Sequence, residues 1–210
     1  MMTMPKGKHF YSVKTTGVYC RPSCAARPKM ENVRFHATMQ EAERAGFRPC
    51  KRCRPEREAL GYAIGRTWLG LTLVAESAKG VCAILFGTSR TALKRDLRKR
   101  FPDAALIETD RTLEGFVDGS RFALDPRGTA FQKEVWQSLR KIPAGRTASY
   151  ADIAGAIGRP KAVRAVAQAC AANPLAVAVP CHRVVASNGN LSGYRWGVER
   201  KKRLLAREAA

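Results

Sequence analysis

Four cysteines in two close pairs constrain the fold of this chain more than any other feature of its sequence. Cys20 and Cys24 lie in the segment CRPSC, and Cys50 and Cys53 lie in CKRC. Two close pairs joined by a longer segment are typical of a tetrahedral zinc site, because each pair can place two sulfurs on one side of the ion. The sequence therefore predicts that these four cysteines bind one zinc ion and close a small domain around it.

The cysteine count and the N-terminus bear on where the protein works. The chain has seven cysteines, an odd number, and no apolar stretch follows the basic residues 1–8 as in a secretory signal. This combination favours metal-binding or catalytic thiols in a reducing compartment over a disulfide scaffold. No segment has the length and apolar character of a membrane span. We expect a cytoplasmic monomer that has no membrane partner.

The charge balance points to a polyanionic partner. Lys and Arg number 38 against 17 Asp and Glu, which gives a formal net charge of +21. A protein with so large a positive excess usually binds a polyanion such as a nucleic acid. A highly solvated surface is the alternative, because the basic residues are spread along the whole sequence.

Basic residues also surround the four cysteines, Arg21 and Arg27 among them, and would attract a phosphate backbone. Four thiolates on one zinc ion carry excess negative charge, and the metal keeps a coordinated sulfur deprotonated and nucleophilic. Such a sulfur could attack an alkyl group on a nearby phosphate. An inert zinc site that only holds a small domain together is the more common role of four cysteine ligands.

The chain divides into three segments, residues 1–58, 59–124 and 125–210. In the second segment, TWLGLTLVAES and VCAILFG predict two strands of a hairpin, and TALKRDLRKRF predicts a helix that ends at Pro102. The third segment is predicted to be mostly helical. FQKEVWQSLRKI predicts one helix, and YADIAGAIG followed by a tight turn and KAVRAVAQACAA predicts a helix-turn-helix.

Near the C-terminus, Cys181 and His182 are neighbours in NPLAVAVPCHRVV. A lone Cys-His pair is a weak signal, and a buried cysteine beside a hydrogen-bonded histidine is the common alternative. We expect this segment to be extended, so that adjacent side chains point to opposite sides. We therefore expect any proton transfer between the two side chains to pass through a water molecule.

The motifs resemble two known families. TTGVYCRPSC with AGFRPCKRC resembles the N-terminal zinc domain of the Ada family of bacterial methyltransferases, over residues 10–54. PCHRVV, preceded by Asn173 and the helix-turn-helix and followed by SGYRWG, resembles the O6-alkylguanine-DNA alkyltransferases, over residues 64–210. An AraC-type DNA-binding domain separates these two parts in the Ada family, whereas this chain has almost no sequence between them. That difference argues against direct sequence-specific gene activation.

The resemblance implies a multi-domain α+β protein. Its parts would be an Ada-like four-cysteine zinc domain (1–58), a ribonuclease-H-like α/β subdomain (59–124), and a mainly helical winged-helix or helix-turn-helix alkyltransferase domain (125–210).

The resemblance also implies roles for individual residues. Cys181 would accept the alkyl group, with His182 acting as a base through a water, Glu208 orienting His182, Asn173 supporting the turn and Tyr150 assisting the leaving guanine oxygen. Zinc-bound Cys20 would accept methyl groups from phosphotriesters. The residues implied in DNA binding comprise Arg164 in the place of the flipped base, Ala162 and Ala165 at the close approach of the helix, Tyr194 and Arg195 at the base pocket, and Arg27 near the phosphate.

The implied function is a methylated-DNA–protein-cysteine methyltransferase that acts once on double-stranded DNA carrying O6-alkylguanine or methyl phosphotriesters. In one alternative the zinc domain only binds DNA and Cys20 is inert. In another, methylation of Cys20 switches a transcriptional regulator. A non-catalytic damage sensor is a third alternative, but relatives of that type lack the reactive cysteine that this chain has at Cys181.

Overall fold

In a computed structural model, residues 5–117, 122–191 and 193–209 are described, and they divide into two compact units. The first unit comprises residues up to 60 together with 101–107, and the second comprises 61–100 together with 108–210. Within the described residues, no helix combines the length and the apolar character needed to cross a membrane.

The first unit is built on a small sheet of short strands. β1 (Phe10–Val13), β2 (Val18–Cys20) and β3 (Val33–His36) are followed by helix α1 (Met39–Arg44) and by β4 (Arg48–Pro49). The strand order is β3-β1-β2-β4, in which β1 is antiparallel to β2 and β3, and β4 is parallel to β2. The β2–β4 pairing brings the end of β2, where the first cysteine pair begins, beside the start of the second pair. Cys50 N donates to Tyr19 O at 3.0 Å across this pairing.

The second unit opens with an antiparallel sheet. Strand β6 (Gly70–Ser77) lies between β5 (Ala59–Thr67) and β7 (Gly80–Phe86), and helix α2 (Arg90–Arg100) follows. The predicted hairpin is confirmed, since Ser77 pairs with Gly80 across its turn. The prediction that the first strand begins with TWLG is wrong, because Trp68 and Leu69 form the turn between β5 and β6. The helix α2 is confirmed, with Leu93 and Leu97 buried.

Short strands and helices complete the chain. They are β8 (Ala105–Glu108), α3 (Ala130–Leu139), β9 (Ala148–Ser149), α4 (Tyr150–Ala156), α5 (Val163–Ala172), β10 (Val184–Val185) and α6 (Val198–Ala209).

The helix-turn-helix predicted from the sequence is present as α4 and α5. Ser149 and Asp152 form a capping box that starts α4. The hydroxyl of Ser149 accepts from the N–H of Asp152, and the carboxylate of Asp152 accepts from the N–H of Ser149. Gly158 ends the helix with φ of +70°, a conformation that favours glycine. In α3, Val135, Trp136 and Leu139 are buried, and Trp136 Nε1 donates to Ala169 O of α5 at 2.9 Å.

Candidate functional site

Cys181 lies in a tight turn between α5 and α6. Cys181–Arg183 form one turn of 3-10 helix, with Cys181 N donating to Val179 O at 2.8 Å and Arg183 N donating to Pro180 O at 3.0 Å. The expectation of an extended segment here is wrong. These hydrogen bonds form a turn over Cys181–Arg183, so the extended backbone begins only at β10. The thiol-bearing residue is 6% exposed.

Asn173 holds the loop that leads to this turn. It ends α5 and is fully buried. Its Nδ2 donates to Val179 O at 2.9 Å and to the sulfur of Cys181 at 3.2 Å, while its Oδ1 accepts from Leu175 N at 2.9 Å. The loop includes Val177 at φ of 66°, which is unfavourable for a β-branched residue. Asn173 thus fixes a strained loop and also contacts the sulfur directly.

The environment of the Cys181 sulfur acts on its ionisation in two directions. Burial raises the pKa of the Cys181 thiol to about 11, while the hydrogen bond from Asn173 and the charge of Lys201 oppose that rise. Lys201 is itself fully buried on α6, and its Nζ donates to Val184 O at 2.5 Å. Burial lowers the pKa of Lys201, although the neighbouring thiols favour its charged form. The unreacted protein therefore holds Cys181 largely as a thiol beside a buried cation.

The buried His182, next to Cys181 in the chain, pairs with the half-buried Glu208. His182 Nε2 lies 2.8 Å from Glu208 Oε1, and Arg183 Nε donates to Glu208 Oε2 at 2.9 Å. Burial would raise the pKa of Glu208, but the bonds from His182 and Arg183 outweigh it and lower the pKa to about 2. The carboxylate is therefore ionised at neutral pH. The other ring nitrogen, His182 Nδ1, is buried and has no hydrogen-bond partner in the part of the chain that the structure describes.

A cavity of about 320 Å³ opens beside the Cys181 sulfur. Tyr194 contributes a ring that packs edge-on against Trp196 with centroids 5.2 Å apart, and burial raises the pKa of its hydroxyl. Arg195 is exposed and pairs with Asp96 of α2 at 3.2 Å. The full lining comprises Tyr150, Ala167, Cys170, Ala171, Cys181, Gly193, Tyr194 and Arg195.

Helix α5 connects this cavity to the surface. Arg164 is exposed in its first turn, and Ala162 and Ala165 beside it are half-buried. Arg164 stands roughly 14 Å along the helix axis from Asn173. One rigid helix therefore carries the exposed arginine at one end and the asparagine that binds the Cys181 sulfur at the other.

The four cysteines of the first unit meet as the sequence predicts. Their sulfurs all lie within 4.8 Å of one another, which fits four Zn–S bonds of about 2.3 Å on one ion. Cys20 and Cys24 are buried, while Cys50 and Cys53 are half-buried. A hydrogen bond from Cys20 lowers the pKa of Cys53 to about 5, and the same bond together with burial raises the pKa of Cys20. Four thiolates this close need a cation to coexist, and the site binds one zinc ion.

The two arginines predicted near this site differ in placement. Arg27 is exposed, and its Nη1 donates to Cys24 O at 3.3 Å. Arg21 is only 8% exposed, and its Nη2 donates to Pro55 O at 2.9 Å. Arg21 thus ties the two cysteine segments together rather than facing outward, and its contact with DNA stays a prediction. A cavity of about 340 Å³ beside the cluster is lined by Cys20 and by the basic residues Arg48, Lys51 and Arg52.

Sequence reasoning missed Lys201 and Arg183. Lys201 stands one turn from Leu204 and two turns from Glu208, so it shares the inward face of α6. A lysine on the apolar face of an amphipathic helix was the sequence pattern that could have identified Lys201 as a buried residue. Arg183 belongs to the motif PCHRVV, but the sequence did not indicate its role. Its hydrogen bonds to Glu208 and to Ile142 O form only in the folded loop.

Comparisons with known proteins agree with this arrangement. Residues 3–56 match the metal binding domain of Ada, and residues 130–210 match the DNA binding domain of 6-O-methylguanine DNA methyltransferase. The bifunctional transcriptional activator/DNA repair enzyme Ada of Escherichia coli is 35% identical, over 97% of this chain and 92% of that protein. The alignment runs over 325 positions, more than the 210 residues of this chain.

Two further relatives match part of the chain. The inducible methylated-DNA–protein-cysteine methyltransferase of Bacillus subtilis is 47% identical over 51% of this chain and 66% of that protein. The crystal structure of Mycobacterium tuberculosis OGT in complex with DNA superposes with a TM-score of 0.58 at 34% identity, covering 71% of this chain and 92% of that one.

Proposed function

Because this chain belongs to the family of Ada and the methylated-DNA–protein-cysteine methyltransferases, we propose that it is a single-turnover DNA repair protein. It moves an alkyl group, typically methyl, from O6 of guanine in double-stranded DNA to its own Cys181. One observation carries this proposal. A buried thiol lines a cavity of about 320 Å³ and is contacted by Asn173, and the neighbouring His182 in the same turn is hydrogen-bonded to the ionised Glu208.

The transfer needs a thiolate and a leaving group that accepts a proton. Glu208 accepts a hydrogen bond from His182 Nε2, which leaves Nδ1 as the basic nitrogen that takes the thiol proton through a water molecule. The sulfur of Cys181 then forms a bond to the methyl carbon as the bond from that carbon to O6 breaks. Tyr150, which lines the same cavity, donates the hydrogen bond that neutralises the departing oxygen. The product thioether is stable, so each molecule acts once.

The DNA side of the proposal rests on α5. The O6 atom is inside the duplex, so the damaged nucleotide must rotate out before the sulfur can reach its alkyl group. Arg164 is exposed at the start of α5 and fills the place that the nucleotide leaves. Ala162 and Ala165 allow the helix to approach the minor groove closely, while Tyr194 and Arg195 line the pocket for the base.

The experiment is to react the purified protein with duplex DNA that contains O6-methylguanine and to weigh the intact protein. We expect one added methyl group in the wild type and none in Cys181→Ala. Binding to the modified duplex with no added methyl group would instead favour a damage-sensing or regulatory protein.

A second reaction is favoured by the zinc site. We propose that zinc-bound Cys20 takes methyl groups from DNA phosphotriesters. Cys20 lines a cavity with basic residues that suit a phosphate backbone, and the exposed Arg27 lies nearby. A zinc ion with four cysteine ligands keeps a sulfur deprotonated at neutral pH.

Cys20→Ser separates this reaction from the alternatives. Loss of phosphotriester transfer in that variant supports a methyl acceptor, and unchanged transfer would leave the zinc domain as a DNA-binding module. A methylation-switched regulator requires a preferred DNA site after methylation, which footprinting of the methylated protein detects.

We further propose a division into domains at 1–58, 59–124 and 125–210, with a ribonuclease-H-like middle part and a winged-helix C-terminal part. The sheet of β5–β7 with α2 supports the former, and α4 and α5 support the latter. All seven cysteines are free, which is consistent with a reducing cytoplasm. The monomeric state is a prediction that sedimentation of the purified protein tests.

A further inference from the structure

The hydroxyl of Tyr11 is a buried polar group beside the zinc-binding cysteines that the proposed chemistry does not use. Tyr11 is fully buried, and its hydroxyl has no hydrogen-bond partner among the residues that the structure describes. A buried O–H group without an acceptor is unfavourable and uncommon in folded proteins. An acceptor for this hydroxyl is therefore expected in the metal-bound protein.

The strand register places that acceptor. Tyr11 of β1 pairs directly with Cys20 of β2, so the two side chains project from the same face of the sheet. On that face, Tyr11, Val13, Cys20 and Cys24 form one buried cluster. A tyrosine hydroxyl is protonated at neutral pH, so that of Tyr11 serves as a hydrogen-bond donor toward this cluster.

We propose that the Tyr11 hydroxyl donates a hydrogen bond to the zinc-bound thiolate of Cys20 and thereby lowers the nucleophilicity of that sulfur. A sulfur lone pair that accepts a hydrogen bond is less available to attack carbon. Tyr11 is thus a positioning residue that makes Cys20 less reactive toward freely diffusing alkylating agents. The inference rests on the proposed role of Cys20 as a methyl acceptor.

Tyr19 supplies a matched control in the same sheet. It precedes Cys20 on β2, so its side chain projects from the opposite face. Tyr19 is as fully buried as Tyr11, but its hydroxyl already donates to Glu43 Oε1 at 2.8 Å. Removal of either hydroxyl leaves a phenylalanine of the same shape, and only one of the two removals takes a donor away from the cysteine cluster.

The test uses the full zinc-loaded chain in a Cys181→Ala background with methyl iodide, a small electrophile that needs no DNA contacts. The sulfur of Cys20 forms a bond to the methyl carbon, the carbon–iodine bond breaks and iodide leaves. No proton is released, because the sulfur is already a thiolate. Peptide mass mapping identifies the methylated cysteine, and metal analysis checks that one zinc ion per chain remains.

We expect Tyr11→Phe to react about fivefold faster at Cys20, which corresponds to about 1 kcal/mol, the usual contribution of one hydrogen bond. Tyr19→Phe should react at the rate of the parent protein. In cobalt-substituted protein, the sulfur-to-metal charge-transfer band should move to longer wavelength in Tyr11→Phe alone. Equal rates and equal bands in the two variants overturn the proposal.

A measurement on the unmutated side chain covers the case in which Tyr11→Phe loses its metal. Proton NMR of the zinc-loaded protein should show a tyrosine hydroxyl proton that exchanges slowly with water and disappears when the zinc is removed. Its absence also overturns the proposal. Phosphotriester transfer by the same protein is measured in parallel, so that failure of Cys20 to accept methyl groups from DNA is seen separately from failure of the Tyr11 contact.

Discussion

The two candidate acceptors, Cys20 and Cys181, are made nucleophilic by different means in the two units of the chain. Cys20 stands among three other sulfurs within 4.8 Å, and a bound cation is what lets it lose its proton. Among the residues that the structure describes, Cys181 belongs to no such cluster. Burial raises the pKa of its thiol to about 11, and the hydrogen bond from Asn173 and the charge of the buried Lys201 both oppose that rise.

The difference explains what surrounds each site. A metal-bound thiolate is permanently charged, so the first unit needs only to shape the site and bring phosphate to it. In the mechanism that we propose, a buried thiol must lose its proton when the substrate arrives, and the His182–Glu208 pair and the cavity-lining Tyr150 serve that step. The first arrangement depends on the metal, and the second depends on hydrogen bonds formed by folding.

The largest effect should come from removing either sulfur. Cys181→Ala should abolish transfer from O6-methylguanine and leave phosphotriester transfer unchanged, while Cys20→Ser should do the reverse. Intact mass after reaction with each damaged duplex measures both transfers. Loss of both reactions in a single variant would contradict two independent acceptors.

Removal of zinc should separate the two sites almost as sharply. Structural zinc sites contribute about 10–16 kcal/mol to folding, so a strong chelator should unfold the first unit and stop reaction at Cys20. The three tryptophans, Trp68, Trp136 and Trp196, all belong to the second unit. Their fluorescence and the transfer to Cys181 should therefore not change, whereas circular dichroism should report lost strand signal. Loss of methyl transfer to Cys181 after chelation would mean that the zinc also stabilises the second unit.

The sequence predicted these two sites unequally. The zinc ligands follow from spacing alone, because two short loops suffice to bring four sulfurs together, and the β6–β7 hairpin follows from its apolar runs and turn. The Cys181 site depends on contacts between distant elements, such as Asn173 with the sulfur and Glu208 with His182, which the sequence supported only through family resemblance.

Other features were misjudged for local reasons. Strand β5 was not predicted, and its interior glycines Gly61 and Gly65 weaken the pattern of a strand. The turn at Cys181 was taken as extended because backbone hydrogen bonds within a proline-bounded segment leave no sequence pattern. The contact of Arg21 with a phosphate backbone stays a prediction, and only the fold reveals that Pro55 O accepts its hydrogen bond.

Glu208→Gln should sharpen the contrast by affecting only the second site. Glutamine cannot stabilise the positive charge that forms on the imidazole when it takes the thiol proton, so transfer from O6-methylguanine should slow about 10³-fold, within the range for a positioned acid–base group. Single-turnover kinetics measure this rate, and phosphotriester transfer is the internal control. A rate within the error of wild type would remove the His182–Glu208 pair from the proposed mechanism.

The same carboxylate should give the second unit a characteristic pH dependence. Its pKa is about 2 in the folded protein against an ordinary value of 4.5. Its stabilising contribution, on the order of 3 kcal/mol, is therefore complete above about pH 4.5 and is lost as the pH falls toward 2. Urea unfolding followed by tryptophan fluorescence should show wild type more stable than Glu208→Gln at pH 6, and nearly equal stabilities near pH 2. A pH-independent difference would mean that the carboxylate charge is not the cause.

The smallest effect should come from Lys201, whose charge favours the thiolate of Cys181 over the thiol. Lys201→Met keeps an unbranched chain in the buried position and removes the cation, so the pKa of Cys181, already about 11, should rise further. At neutral pH the thiolate fraction and the rate of alkylation by iodoacetamide should then fall about tenfold. Lys202→Met is the matched control, because the exposed Lys202 pairs only with Glu199 in the described structure, at 3.2 Å, and should leave the rate unchanged. If Lys201→Met reacts as fast as this control, hydrogen bonding alone, without a buried charge, activates the second sulfur, and the contrast with the metal-bound Cys20 becomes sharper still.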